Sequence, residues 1–188
     1  VCGDAGFKRV PRGRVVRLCL LAARLKRNFS PSGLVPLVGI TSGRCFAGNA
    51  VIFGCADVTI ATKNSNIGLA GPAMIEGGGL GSFKPEDIGP AHIQTKNGVI
   101  DLLCEDESDA TENARRLLAY FQGRLKDYEA CDQRLLRHLI PEDRLRVYDI
   151  RRVIETLADK DSVIELRRQY GVGLVTALVR LEGRPFGL

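Results

Sequence analysis

Between an apolar run at 34–40 and a β-branched run at 57–62, the chain reads SGRCFAGNA over residues 42–50, with Gly43, Ala47, Gly48 and Asn49 crowded together. A buried strand ending at Ile40, a turn, and a helix starting near Gly48 would leave backbone N–H groups without partners inside the helix. The dipole at that helix end is positive. Two such amides aimed at one point form an oxyanion hole, which stabilises negative charge developing on a carbonyl oxygen. Small side chains let a ligand approach the backbone closely. The same residues also suit close packing of a helix on a sheet, and the residues alone leave both readings open.

Other chemistries find less support. No G-x-G-x-x-G follows the strand, no G-K-[ST] is present, and no G-x-S-x-G offers a serine nucleophile. The histidines are His92, read as a loop residue after Gly89–Pro90, and His138, read as solvated in a charged helix. Glu76 and Asp87, in a Gly-rich stretch, are acid/base candidates or ordinary surface carboxylates. The six cysteines (Cys2, Cys19, Cys45, Cys55, Cys104 and Cys131) form no C-x-x-C pair and no Cys/His cluster at zinc spacing. They read as reduced thiols of a cytoplasmic protein, and no metal is expected. Any chemistry here would rest on backbone donors.

The 188 residues, 45% of them apolar, suffice for an ordinary globular core, and no run of about 18 apolar residues suggests a membrane span. Residues 1–30 carry eight Lys/Arg against Asp4 alone, a net of +7. The whole chain is +5, so the remainder sums to −2. The body is nearly neutral, and a basic arm without interleaved aromatics is a poor nucleic-acid binder. Within it, Val15, Leu18, Leu21, Ala22 and Leu25 fall at helical spacing.

The positioning elements alternate between strand and helix. Strands are expected at 34–40, 57–62, 67–70 and 98–104, with a helix at 47–56 and a Gly-rich loop at 71–81. A further helix should be capped by Ser108, carry Asp109 and Glu112 in its first turn and end at Gly123. Its apolar stripe is Ala110, Ala114, Leu117, Leu118 and Phe121. Residues 123–145 read as a polar linker interrupted by Pro141. Asp149 should cap a helix bearing Ile150, Val153, Ile154 and Leu157, followed by a hairpin turning at Glu182–Gly183. A hairpin strand barely begun at the C-terminus and a chain starting with Val1 suggest an internal piece of a longer protein.

The runs SGRCFAGNAVIFGCADVTIAT and SNIGLAGPAMIEGGGLGSFKPEDIGP closely resemble the carboxyltransferase subunit of biotin-dependent acyl-CoA carboxylases, within the crotonase-like superfamily. NGVIDLLCEDESDATENARRLLAYF resembles the segment that follows. YDIRRVIETLADKDSVIELRRQYGVGLVTALVRLEGRPFGL resembles the opening of that family's second domain. Order is kept from about Gly33 to Leu188, whereas residues 1–32 show no such resemblance.

The resemblance implies an α/β, crotonase-like ββα superhelix, partial, with the start of a second similar domain. It divides the chain into a basic leading segment (1–32), a partial N-terminal carboxyltransferase domain (33–122), a linker (123–145) and a truncated C-terminal domain (146–188). It also implies an enzyme that moves a carboxyl group from carboxybiotin, on a separate carrier, to the α-carbon of an acetyl- or propionyl-type acyl-CoA. The oxyanion donors fall on the backbone amides of Gly48 and Asn49, where the family commonly has Gly–Gly. The run Gly71, Pro72, Ala73, Met74 falls where the acyl pocket is lined. Implied partners are biotin carboxylase, the biotin carboxyl carrier and further copies meeting through N-domain to C-domain contacts, with no nucleic acid or membrane. The chain alone is expected to be inactive, since the family's site also needs a C-domain. Competing readings are a carboxybiotin-linked decarboxylase, a hydratase or isomerase of the same superfamily, and a non-catalytic truncated homologue. The hydratase would want paired carboxylates near the turn, and no convincing pair is evident.

Overall fold

A computed structural model describes residues 33–143 and 145–188; the helical spacing read at 15–25 lies outside them. The first half runs β1 (Val38–Thr41), β2 (Arg44–Phe46), α1 (Gly48–Gly54), β3 (Val58–Thr62), β4 (Asn66–Gly68) and α2 (Pro72–Gly77). Strand, strand, helix thus occurs twice. The leading strands β1 and β3 pair in parallel, Ile40 opposite Ile60, and the second strands β2 and β4 do the same, Cys45 opposite Ile67. A 3₁₀ turn (Pro85–Asp87), α3 (Ala91–Lys96) and β5 (Leu102–Cys104) follow. β5 extends the larger sheet to the order β1–β3–β5, and α4 (Glu107–Ala119) comes next.

All five residues of β3 are buried. Successive side chains point to opposite faces of a sheet, so Val58 and Ile60 join Ile40, Ala110, Ala114 and Leu117 beneath α4. Ala61 instead joins Phe53, Cys45, Ile67 and Ile100 on the α1 side. α1 lies close on the sheet at Gly39, where a Cβ would come within 3.1 Å of Ala56 and of the Phe53 ring.

Several boundaries differ from the sequence expectations. β1 starts at Val38, not at 34: Pro36 has no N–H to donate, and Leu34 and Val35 are exposed. The expected strand at 67–70 begins at Asn66 and stops at Gly68, leaving Leu69 exposed. The expected strand at 98–104 shortens to Leu102–Cys104, because Gly98 turns and the amides of Val99 and Ile100 are taken by Gln94 O at the end of α3. The stretch read as a Gly-rich loop contains α2, started by Pro72 at a position where proline is favourable. His92 lies on α3, not in a loop. The cap of α4 is Asp106, whose carboxylate accepts from the Asp109 amide at 2.9 Å, so Ser108 sits inside the helix. Phe121 is exposed, and Tyr120 takes the buried place at the end of the stripe.

The second half holds α5 (Leu136–Leu139), α6 (Ile150–Leu157) and an antiparallel sheet of β6 (Ile164–Leu166), β7 (Thr176–Leu181) and β8 (Arg184–Gly187). Asp149 caps α6 as read, accepting from the Arg151 amide at 3.0 Å; Ile154 is buried, whereas Ile150 and Leu157 remain partly exposed. Glu182 and Gly183, both at positive φ, make the hairpin turn. A Cβ at Gly183 would come within 2.3 Å of Leu125 O. Segment 123–145 is tied down: the Leu125 amide donates to Gly183 O at 2.9 Å, and the Gln133 side chain donates to Thr156 O and Leu157 O. Leu166 and Leu178 pack onto the core of the first sheet. Among the described residues no helix is long and apolar enough to cross a membrane.

Candidate functional site

The turn between β2 and α1 is built on Ala47. Its φ of 53° and ψ of −127° lie in a region that favours glycine. The conformation is held on both sides. The Ala47 amide donates to Gly68 O at the end of β4 at 3.1 Å, and Ala47 O accepts the Val51 amide at 3.1 Å. Gly48 and Asn49 are therefore the first two residues of α1, and both are exposed. Among the described residues neither amide has an acceptor, as expected for the first turn of a helix. With only seven residues in α1, the donors that matter are the amides themselves and not a long helix dipole.

Tight packing accounts for only some of these small residues. A Cβ added at Gly48 would meet nothing within 4 Å, in contrast to Gly39, where the helix and sheet do touch. Close packing explains Gly39. It does not explain Gly48, whose missing side chain leaves open space beside the amides.

The run read as acyl-lining lies next to this turn. Gly71 is extended and precedes α2, and a Cβ there would stand 3.5 Å from the Phe46 ring. Pro72 is half-buried, Ala73 exposed, and Met74 61% exposed. The stretch from Leu69 to Phe83 also exposes Leu69, Leu80 and Phe83. Phe46 escaped the sequence reading. Its signal was the one aromatic residue in the run 42–50, where all the others but Arg44 are small.

The acid/base candidates are not drawn in. Glu76, Asp87 and His92 are exposed, and among the described residues no hydrogen bond links any of them to the turn. The carboxylate bound near the turn is Glu86, which accepts from Arg44 at 2.5 Å. Its own backbone amide and then Arg44 hold it below the usual carboxylate range. Cys45 is fully buried under the turn, and burial pushes its thiol up, as suits a packing residue rather than a nucleophile. Among the described residues no three His, Cys, Asp or Glu side chains are grouped to hold a metal ion.

The architecture is α/β and crotonase-like. The chain belongs to the carboxyl transferase domain family, which matches residues 15–188, further upstream than the resemblance read from about Gly33. A solved single-chain, multi-domain long-chain acyl-CoA carboxylase superposes with a TM-score of 0.82 at 54% identity, covering 88% of this chain and 17% of that one. The transcarboxylase 12S crystal structure with hydrolyzed methylmalonyl-coenzyme A bound, described as a hexamer, gives 0.71 at 27% identity, covering 85% of this chain and 33% of that one. Methylmalonyl-CoA carboxyltransferase 12S subunit of Propionibacterium freudenreichii subsp. shermanii is 27% identical, over 98% of this chain and 37% of its own length. For the mitochondrial methylcrotonoyl-CoA carboxylase beta chain of Arabidopsis thaliana the figures are 29% identity, 82% and 29%. The chain thus spans roughly a third of the curated relatives it matches.

Proposed function

We propose that this chain forms the acyl-CoA side of a carboxyltransferase in a biotin-dependent acyl-CoA carboxylase. The observation that carries the reading is the pair of exposed amides at Gly48 and Asn49, without acceptors among the described residues and beside open space. Loss of the α-proton from a thioester moves negative charge onto its oxygen. Two preset donors at that oxygen act where the charge develops and need not reorganise. Asn49, in place of a second glycine, still supplies its N–H. Gly71, Pro72, Ala73 and Met74 are assigned to the acyl group. Carboxybiotin, borne on a separate carrier, supplies the carboxyl group when bound; the described residues are assigned to the thioester alone. Relatives named for methylmalonyl-, methylcrotonoyl- and long-chain acyl-CoA support an acyl-CoA substrate. A relative from Mycobacterium bovis, named as the beta6 subunit of a biotin-dependent acetyl-/propionyl-coenzyme A carboxylase, supports biotin carboxylase and carrier partners, and the hexameric 12S structure supports self-association. Free Cys45, Cys55, Cys104 and Cys131 support a cytoplasmic setting.

The decisive substitution is Gly48→Pro in the protein carrying this chain. Proline is tolerated at the first helical position but removes one donor. Turnover should fall by about 10²–10³-fold, the usual loss for one oxyanion donor, with the melting temperature retained. Undiminished turnover in the folded variant rules out the turn as the hole.

A further inference from the structure

Phe46 ends β2 half-buried, one residue before the Ala47 turn. Its ring occupies room left by two glycines in other elements. A Cβ at Gly68, in β4, would stand 3.6 Å from Phe46 Cδ1, and one at Gly71, before α2, would stand 3.5 Å from Cδ2. The Phe46 ring, one residue before the amide turn, therefore lies beside the residue that opens the acyl-lining run. The backbone bond from Ala47 to Gly68 O anchors the turn to β4. Among the described residues no hydrogen bond joins segment 46–49 to segment 71–74, whose own bonds close within α2. The β2–β4 ladder and the Ala47 bond hold the turn to β4, and beyond them Phe46 is the side chain set against Gly71.

We infer that Phe46 is a positioning residue that sets the gap between the Gly48–Asn49 amides and the Gly71–Met74 run, and through it which acyl groups fit beside the thioester. This rests on the function proposed above. A planar ring on a short stem fills such a gap rigidly, with only two torsions to fix. A smaller side chain leaves a space that the Gly71 segment can close only in part. The variant pocket should then admit bulkier acyl groups and hold the small ones less firmly.

Phe46→Leu and Phe46→Ala, made in the protein carrying this chain, would be assayed for kcat and KM with acetyl-CoA and with a long-chain acyl-CoA, beside thermal melting. The expected result is a shift of about tenfold or more in the kcat/KM ratio toward the long-chain substrate, the range by which pocket shape discriminates. The change should fall mainly on KM, with Phe46→Leu intermediate. A purely structural Phe46 would lower the melting temperature and leave the ratio unchanged. The parent's ratio in a stably folded Phe46→Leu variant overturns the inference, and that variant decides should Phe46→Ala not fold. Gly48→Pro separates the two levels. If it is crippled while the Phe46 variants keep the parent's ratio, only the positioning role fails; if it is fully active, the proposed function fails and takes the positioning role with it.

Discussion

Cys104 shows how far a side chain's chemistry depends on its surroundings. In sequence it is one of six cysteines; in the fold it ends β5 beneath α4, 2% exposed. Burial, and after it the Asp109 carboxylate, pushes its thiol from 9.0 up to about 11, although the Asn113 side chain donates to the sulfur at 3.6 Å. The unfolded thiol ionises first as pH rises, so the native state holds a proton that the unfolded state has lost. Stability should be unaffected below pH 9 and should fall as pH climbs from about 9 through about 11. Cys45 and Tyr120, both also raised chiefly by burial, share that sign. Urea titrations across this window should show the decline, and Cys104→Ala should reduce it. A parent and variant with the same alkaline slope would contradict the assignment.

For the strand-to-helix turn, the relevant unit is the element and not any one residue. Small residues at 43–49 were legible as a turn able to present amides, and Asp149 was legible as a cap. What single-residue reasoning could not reach was the backbone of Ala47, whose left-handed conformation exists because β4 takes its amide and α1 takes its carbonyl. Such strain costs on the order of 1–3 kcal/mol. Ala47→Gly should therefore keep or raise the urea midpoint, because the cost disappears. Ala47→Val should lower stability by a further amount of about 1–3 kcal/mol, since β-branching resists positive φ. A valine variant as stable as the parent would show that the turn carries no strain. Helices α2 and α3 were missed for a related reason: glycine and proline dominate their surroundings, and six residues are too few to display a periodic stripe.

Across the whole molecule, the two halves meet along a polar seam. Arg180 of β7 is 4% exposed and among the described residues pairs with no carboxylate; its guanidinium donates to Ala119 O at 2.8 Å, Gly123 O at 3.1 Å and Gly183 O at 2.8 Å. It thus satisfies carbonyls at the end of α4 while lying 4.7 Å over the Tyr120 ring. Arg167 adds a second tie, its Nε 2.6 Å from the buried Asp101 carboxylate that also accepts the Thr59 amide. Because lysine cannot spread donors over three carbonyls as a planar guanidinium does, Arg180→Lys should cost about 1.5–3 kcal/mol, the worth of one charged hydrogen bond. Equilibrium unfolding measures it directly, and an unchanged free energy would mean that apolar contacts such as Leu166 and Leu178 on the first core hold the seam unaided.

Local pattern alone determined the buried strands that became β1 and β3, the long stripe of α4 at Ala110, Ala114 and Leu117, and a turn of small residues at Gly48, because these follow from periodicity and steric size within a few neighbouring residues. The larger sheet's order β1–β3–β5, the choice of Asp106 over Ser108 as a cap, the ring of Phe46 beside Gly68 and Gly71, and the burial of Arg180 were decided by tertiary structure. Each depends on atoms brought together from segments far apart in the chain, and no spacing along one segment encodes which distant carbonyl or glycine will face it.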